Sequence, residues 1–128
     1  MRTLLFLLTI LGLSCSQNPA EAQNKLTPDA FEVMLKSDTT IQLVDVRTPE
    51  EFQGGHIAGA VNWNIHEADF GQKISTLDKN RPVLVYCAVG GRSATAANQI
   101  SKLGFDKVYD LKGGMTAWKK EGKAVVGQ

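Results

Sequence analysis

The stretch Val83-Leu84-Val85-Tyr86-Cys87-Ala88-Val89-Gly90-Gly91-Arg92-Ser93-Ala94 decides the fold. Pro82 to Tyr86 is a short apolar run rich in β-formers, the length of a strand buried on both faces. Glycines break the run. Arg92 to Leu103 then shows helical spacing, with Ala94, Ala97, Ile100 and Leu103 inward and Gly104 as the C-terminal stop. The unit is a strand, a tight loop and a helix N-terminus, with the Cys87 thiol at the mouth of the loop. Gly90 and Gly91 tolerate the φ/ψ that turn the backbone N–H groups of Ala88 to Ser93 inward. The helix start adds partial positive charge. The layout reads as an anion cradle built around a nucleophile.

The same grammar repeats on either side. Thr27-Pro28-Asp29 is a helix start, with an N-cap hydroxyl, a first-turn Pro and a first-turn acid, and Phe31, Met34 and Leu35 form one apolar face behind it. Ile41 to Val46 reads as a strand, and Pro49-Glu50-Glu51-Phe52 opens a short helix. Gly54 to Ala60 is turn-rich. Val61 to Ile65 alternates as a strand, and Ala68 to Leu77 reads as a helix interrupted by Gly71. Lys107 to Leu111 is a strand, and Thr116 to Glu121 a last helix ended by Gly122. Strands alternating with helices imply βαβ units, hence an α/β fold with a mostly parallel sheet and helices on both faces. Ligands in such folds lie beyond the carboxyl ends of the strands, which is where Cys87 falls.

At 128 residues the chain is one domain able to bury its own core. Fourteen basic and 13 acidic residues leave a formal net charge of +1, so there is no electrostatic case for nucleic acid or an acidic membrane patch. Two histidines and one usable cysteine stand at no ligand spacing, so neither a metal nor a cofactor is expected. His56 reads as a fixed turn residue, His66 as a surface residue, and Trp63 and Trp118 as core or rim. No G-x-x-x-x-G-K pattern is present.

Residues 1–15 read as a signal peptide: Met1-Arg2 is positive, and Leu4 to Leu13 is apolar but shorter than the about 20 residues that span a bilayer. Cys15 directly after the run resembles the lipidated cysteine of bacterial lipoproteins, although Gly12 holds the place usually taken by a large aliphatic residue. The alternative is a plain signal cut near Ala20 or Ala22, with Cys15 discarded. Either way the expectation is export to a bacterial periplasm, with membrane attachment only through a lipid at Cys15. Residues 16–25 are polar and read as a flexible tether, and 26–128 as the domain. With Cys15 lipidated or removed, Cys87 is a lone thiol in an oxidising compartment and has no disulfide role.

Three segments together resemble the rhodanese family. Leu43-Val44-Asp45-Val46-Arg47-Thr48-Pro49-Glu50-Glu51-Phe52 with Gly55-His56-Ile57-Ala58-Gly59-Ala60-Val61-Asn62 is similar to the N-terminal signature, with alanine at Ala58 where many relatives carry proline. Tyr86 to Ser93 resembles the active-site loop, and Leu111-Lys112-Gly113-Gly114-Met115-Thr116-Ala117-Trp118 the C-terminal signature. The resemblance implies a five-stranded sheet and sulfur transfer. Cys87 would attack the outer sulfur of thiosulfate or a persulfide, hold it as a persulfide, and yield it to cyanide, a small thiol or a protein thiol. Ala88, Val89, Gly90, Gly91, Arg92 and Ser93 would bind the substrate, and Asp45 and Arg47 would support the loop by hydrogen bonds. Arg92 has two readings: it holds the sulfonate of thiosulfate, or it pairs with an acid such as Asp45 and braces the loop. Ser93 reads as a helix cap.

Three other readings compete. One, persulfide or thiol-redox handling with a protein partner and not thiosulfate, shares the same Cys87 chemistry and is not separated from it by sequence. Cysteine phosphatases, and by extension arsenate reductases, need five residues between Cys and Arg; here four intervene, Ala88 to Gly91. A purely binding or regulatory rhodanese module commonly lacks the cysteine that Cys87 supplies.

Overall fold

The structure, a computed structural model, describes residues 24–127. The expected signal segment with Cys15, and most of the expected tether, lie outside the described residues.

Alternation across the central strand organises everything else. Val83, Val85 and Cys87 turn to one face of the sheet and Leu84 and Tyr86 to the other, all without exposed surface. This strand is β4 (Val83–Tyr86). The remaining elements are β1 (Asn24–Leu26), α1 (Pro28–Ser37), β2 (Gln42–Asp45), α2 (Pro49–Gln53), β3 (Val61–Asn62), α3 (Phe70–Ile74), α4 (Gly91–Lys102), β5 (Val108–Leu111) and α5 (Gly114–Lys120). The strands form one five-stranded sheet in the order β1-β5-β4-β2-β3, with every neighbouring pair parallel.

Helices cover both faces, so the sheet is shielded as parallel sheets require. On the Cys87 face, Phe70 and Ile74 of α3 and Ala96, Ala97 and Ile100 of α4 pack on Val44, Val46, Val83, Val85 and Val108. On the other face, Phe31 of α1 and Met115 and Trp118 of α5 pack on Leu43, Leu84, Tyr86 and Leu111. Phe31 and Trp118 meet edge to face at 6.1 Å, and the Trp118 indole donates to the Ala124 carbonyl at 2.9 Å. Helix starts follow their sequence signals. Thr27 caps α1 through the Ala30 amide, and Thr48 and Glu51 form a reciprocal capping box on α2.

Several boundaries differ from the sequence reading. Asn24 and Lys25 are not tether: they form the edge strand β1 with Leu26, beside Tyr109, Asp110 and Leu111. Polar composition hid this strand; Lys25 donates to the fully buried carboxylate of Asp110 at 3.0 Å, a long-range pairing that composition does not reveal. The inward stripe of α4 is Ser93, Ala96, Ala97 and Ile100; Leu103 is 37% exposed and Ala94 half-buried, because the helix is rotated to turn Ser93 inward. Strand β3 stops at Asn62, whose side-chain amide occupies the Asp45 and Arg47 carbonyls at 3.2 and 2.9 Å. Helix α3 is confined to Phe70–Ile74, within the longer span expected. Helix α5 starts at Gly114, two residues before the expected Thr116, because Gly113 and Gly114 supply positive φ at its start.

Candidate active site

Strand β4 ends at Tyr86 and delivers Cys87 to the carboxyl edge of the sheet. Residues 88–90 then wrap the sulfur before α4 begins at Gly91. Gly90, at φ +117°, occupies the helix N-cap, a conformation that L side chains rarely adopt. Its amide donates to Cys87 Sγ at 3.0 Å. Sγ also lies 3.3 Å from the Ser93 hydroxyl, which stands 3.2 Å from the Gly90 carbonyl. Ser93 is therefore not the helix cap expected. When the thiol is protonated, S–H donates to Ser93 Oγ, and the hydroxyl donates to Gly90 O. When it ionises, the hydroxyl is placed to turn and donate to sulfur.

The electrostatics follow from these donors. Burial pushes the Cys87 thiol up, but hydrogen bonds from the Ser93 hydroxyl and from the amides of Ser93, Gly90 and Val89 outweigh it, and the net shift is downward. A lowered thiol is the reactive, nucleophilic kind. Cys87 itself has no exposed surface, whereas Val89 at the loop crest is 70% exposed. The loop must part to admit a reactant.

The loop is held from below by α5. The amides of Met115 and Thr116 donate to the carbonyls of Cys87 and Ala88 at 2.9 and 3.0 Å. Fixing those carbonyls toward α5 leaves the following amides free to face the sulfur. Gly114 makes the approach feasible: a Cβ there would fall 2.5 Å from the Cys87 carbonyl oxygen.

Arg92 pairs with an acid, as one of its two readings expects, but the partner is Glu51 and not Asp45. Its two terminal nitrogens donate to the two carboxylate oxygens of Glu51 at 2.7 and 2.9 Å, tying the loop to α2. The Arg92 hydrogen bonds hold the Glu51 carboxyl down at about 2, and Glu51 in turn raises Arg92. Sequence reasoning missed Glu51; its place at N3 of a capping box was the available signal.

Asp45 and Arg47 support the site at one remove. The Arg47 side chain grips the Asp45 carboxylate through Nε and Nη2, at 2.7 Å for the shortest contact, and also donates to the Gly55 carbonyl at 2.8 Å. Both residues are buried. None of these bonds reaches residues 88–93. The pair instead lies beside Tyr86, with the guanidinium 5.7 Å from its ring and the Tyr86 hydroxyl accepting from the Ile57 amide at 3.0 Å. Burial, then the Asp45 charge, push the Tyr86 phenol upward. His56 is fixed as a turn residue: its backbone bridges Val126 and its ring stacks on Phe52 at 3.7 Å. His66 is exposed. Among the described residues no group of His, Cys, Asp and Glu gathers as metal ligands. A cavity of about 320 Å³ beside β2 and β3, lined in part by Trp63, Leu77 and Arg81, includes none of the loop residues.

The arrangement presents one buried sulfur, its thiol lowered, among neutral hydrogen-bonding groups. Comparison with known proteins agrees with that architecture. The Rhodanese-like domain family matches residues 27–121. The chain is 37% identical over 86 residues to the thiosulfate sulfurtransferase GlpE of Shewanella oneidensis, spanning 67% of this chain and 83% of that protein. It is 31% identical over 103 residues to a sulfurtransferase of Allochromatium vinosum, spanning 80% and 94%. It also matches the uncharacterised YqhL of Bacillus subtilis at 42% identity, spanning 65% of this chain and 64% of that protein. A rhodanese-related protein of Thermoplasma volcanium superimposes with a TM-score of 0.72 at 30% identity, over 82% of this chain and 99% of that one. The rhodanese-like domain of an Anabaena protein gives 0.73 at 30% identity, over 83% and 80%. By its three signatures, its all-parallel five-stranded sheet and these matches, the chain belongs to the rhodanese-like domain family.

Proposed function

We propose that the chain is a sulfurtransferase that moves a sulfane sulfur through a Cys87 persulfide. The observation that carries this reading is the Gly90 amide 3.0 Å from Cys87 Sγ, within a ring of donors that outweighs burial and lowers the thiol. The thiolate attacks the outer sulfur of the donor, and the donor's sulfur–sulfur bond breaks. With thiosulfate the bonding pair leaves on sulfite; with a persulfide it leaves on a thiolate. An acceptor, cyanide in an assay or a small or protein thiol, then attacks the outer sulfur and regenerates the Cys87 thiolate. The same amides that stabilise the thiolate stabilise the persulfide anion and the returning thiolate. Relatives named as sulfurtransferases support sulfur transfer in general. Four residues between Cys87 and Arg92 make a loop narrower than a cysteine phosphatase requires, and an intact Cys87 speaks against a purely binding module.

The proposed setting is the bacterial periplasm, on the strength of the positive and apolar residues 1–13, with attachment to a membrane through a lipid on Cys15.

Steady-state release of thiocyanate and of a thiol-transfer product tests the reaction. Cys87→Ser is expected to abolish both while retaining the circular dichroism spectrum of the parent. Appreciable residual turnover by that variant overturns the mechanism.

A further inference from the structure

Resting on the sulfurtransferase reading, we propose that this site selects an alkyl persulfide, R–S–SH, over the thiosulfate dianion as its sulfur donor, with the Glu51–Arg92 pair as the discriminating element.

The loop from Cys87 to Ser93 contains a single cationic side chain, Arg92. Recognition of a sulfonate draws its strength from charge-assisted, often bidentate, contacts with such a group. Here the bidentate face of Arg92 is turned to the protein: one N–H of Nη1 and one of Nη2 point to the Glu51 carboxylate, which also balances the guanidinium charge. Glu51 stays ionised at neutral pH, so the pair adds no net charge to the mouth of the site, and a carboxylate stands next to the only guanidinium of the loop. A doubly charged donor therefore meets a neutral loop.

Burial sharpens the difference. Cys87 has no exposed surface, so the reacting sulfur must leave water to reach it. Desolvating a charge without a partner is costly, and the cost grows with the charge carried in. The groups around Sγ, the Gly90 amide that donates to it and the Ser93 hydroxyl beside it, are neutral and gather at one sulfur atom. They suit the terminal sulfur of a persulfide, and none of them carries a charge to set against a sulfonate. The crest supplies the opposite preference: Val89 is 70% exposed beside Ala88, an apolar flank for an alkyl group R.

The step balances without an outside oxidant or reductant. Cys87 thiolate attacks the outer sulfur of R–S–SH, a Cys87 S–S bond forms, and the donor S–S bond breaks. The bonding pair departs on R–S⁻. The outer sulfur keeps its oxidation level.

Second-order rates of Cys87 persulfide formation, followed by rapid quench and intact mass, test this with two donors: cysteine persulfide, whose R group carries no net charge, and thiosulfate. The wild-type protein is expected to load from cysteine persulfide at least about tenfold faster. Glu51→Gln keeps a side chain suited to the α2 capping box and releases the Arg92 charge. It is expected to shift the rate ratio toward thiosulfate by at least about threefold. Equal or faster loading from thiosulfate in the wild type, which does not depend on how the variant folds, overturns the proposal. So does an unmoved ratio in a folded Glu51→Gln. Failure of both donors to load a demonstrably reduced Cys87 overturns the sulfurtransferase reading itself, a distinct result.

Discussion

Ser93 Oγ lies 3.3 Å from Cys87 Sγ and is fully buried, so the first turn of α4 contributes a hydroxyl to the sulfur as well as its backbone. Burial opposes the thiolate and the donors favour it, with Ser93 the strongest of them. Ser93→Ala leaves burial in place and removes that donor. The thiol titration is expected to move to higher pH, and alkylation by iodoacetamide at neutral pH to slow severalfold. The pH–rate profile of alkylation checks this; an unchanged profile would leave the backbone amides as the whole cause.

Gly114 is the contact between α5 and the loop. Its φ is +56°, and an added Cβ would lie 2.6 Å from both C and O of Ala88. Gly114→Ala combines backbone strain with overlap against unyielding backbone. It is expected to cost at least about 2 kcal/mol in urea unfolding, and to slow sulfur loading by displacing the two carbonyls that α5 holds.

The Glu51–Arg92 pair has a pH signature. Glu51 titrates at about 2 in the fold against an ordinary 4.5, chiefly because Arg92 hydrogen-bonds its ionised form. The folded state therefore binds this proton less readily than the unfolded chain. The stabilisation is complete above about pH 4.5 and is lost as pH falls toward 2. Both side chains are partly exposed, so its size is about 1 kcal/mol. Comparing the acid limb of the stability curve with that of Glu51→Gln measures it; the variant should show a shallower loss over that window.

Lys25 anchors the edge strand through a buried acid. Asp110 has no exposed surface, Lys25 Nζ lies 3.0 Å from its Oδ2, and Oδ1 has no hydrogen-bond partner among the described residues. Lys25→Ala is expected to leave that carboxylate unpaired and cost about 2–3 kcal/mol, with faster amide exchange at Lys112, whose N–H bonds the Leu26 carbonyl. Chemical denaturation and hydrogen exchange together check it.

What could be read in the chain was what depends on neighbours in sequence. The strand–loop–helix around Cys87 announces itself because apolar run, glycines and helical stripe lie within a few residues, and Thr27 and Thr48 cap their helices through amides three residues on. What could not be read depends on chain segments meeting from afar. Arg92 finds Glu51 across 41 residues, and Lys25 finds Asp110 across 85. The same holds for Ser93: it looks like a cap by residue type, and only the rotation of α4 over β4 shows that its hydroxyl faces sulfur. Gly114 was visible as a motif residue, yet the reason for glycine, the Cys87 carbonyl pressed against it, belongs to tertiary packing.

Whether Cys87 carries sulfur can be weighed directly, by intact-protein mass spectrometry of the reduced protein. After incubation with cysteine persulfide or thiosulfate, a gain of one sulfur atom is expected, absent in Cys87→Ser and lost again on adding cyanide, with thiocyanate released. A reduced Cys87 that gains no sulfur from either donor, or an equal gain in Cys87→Ser, would contradict sulfur transfer through Cys87.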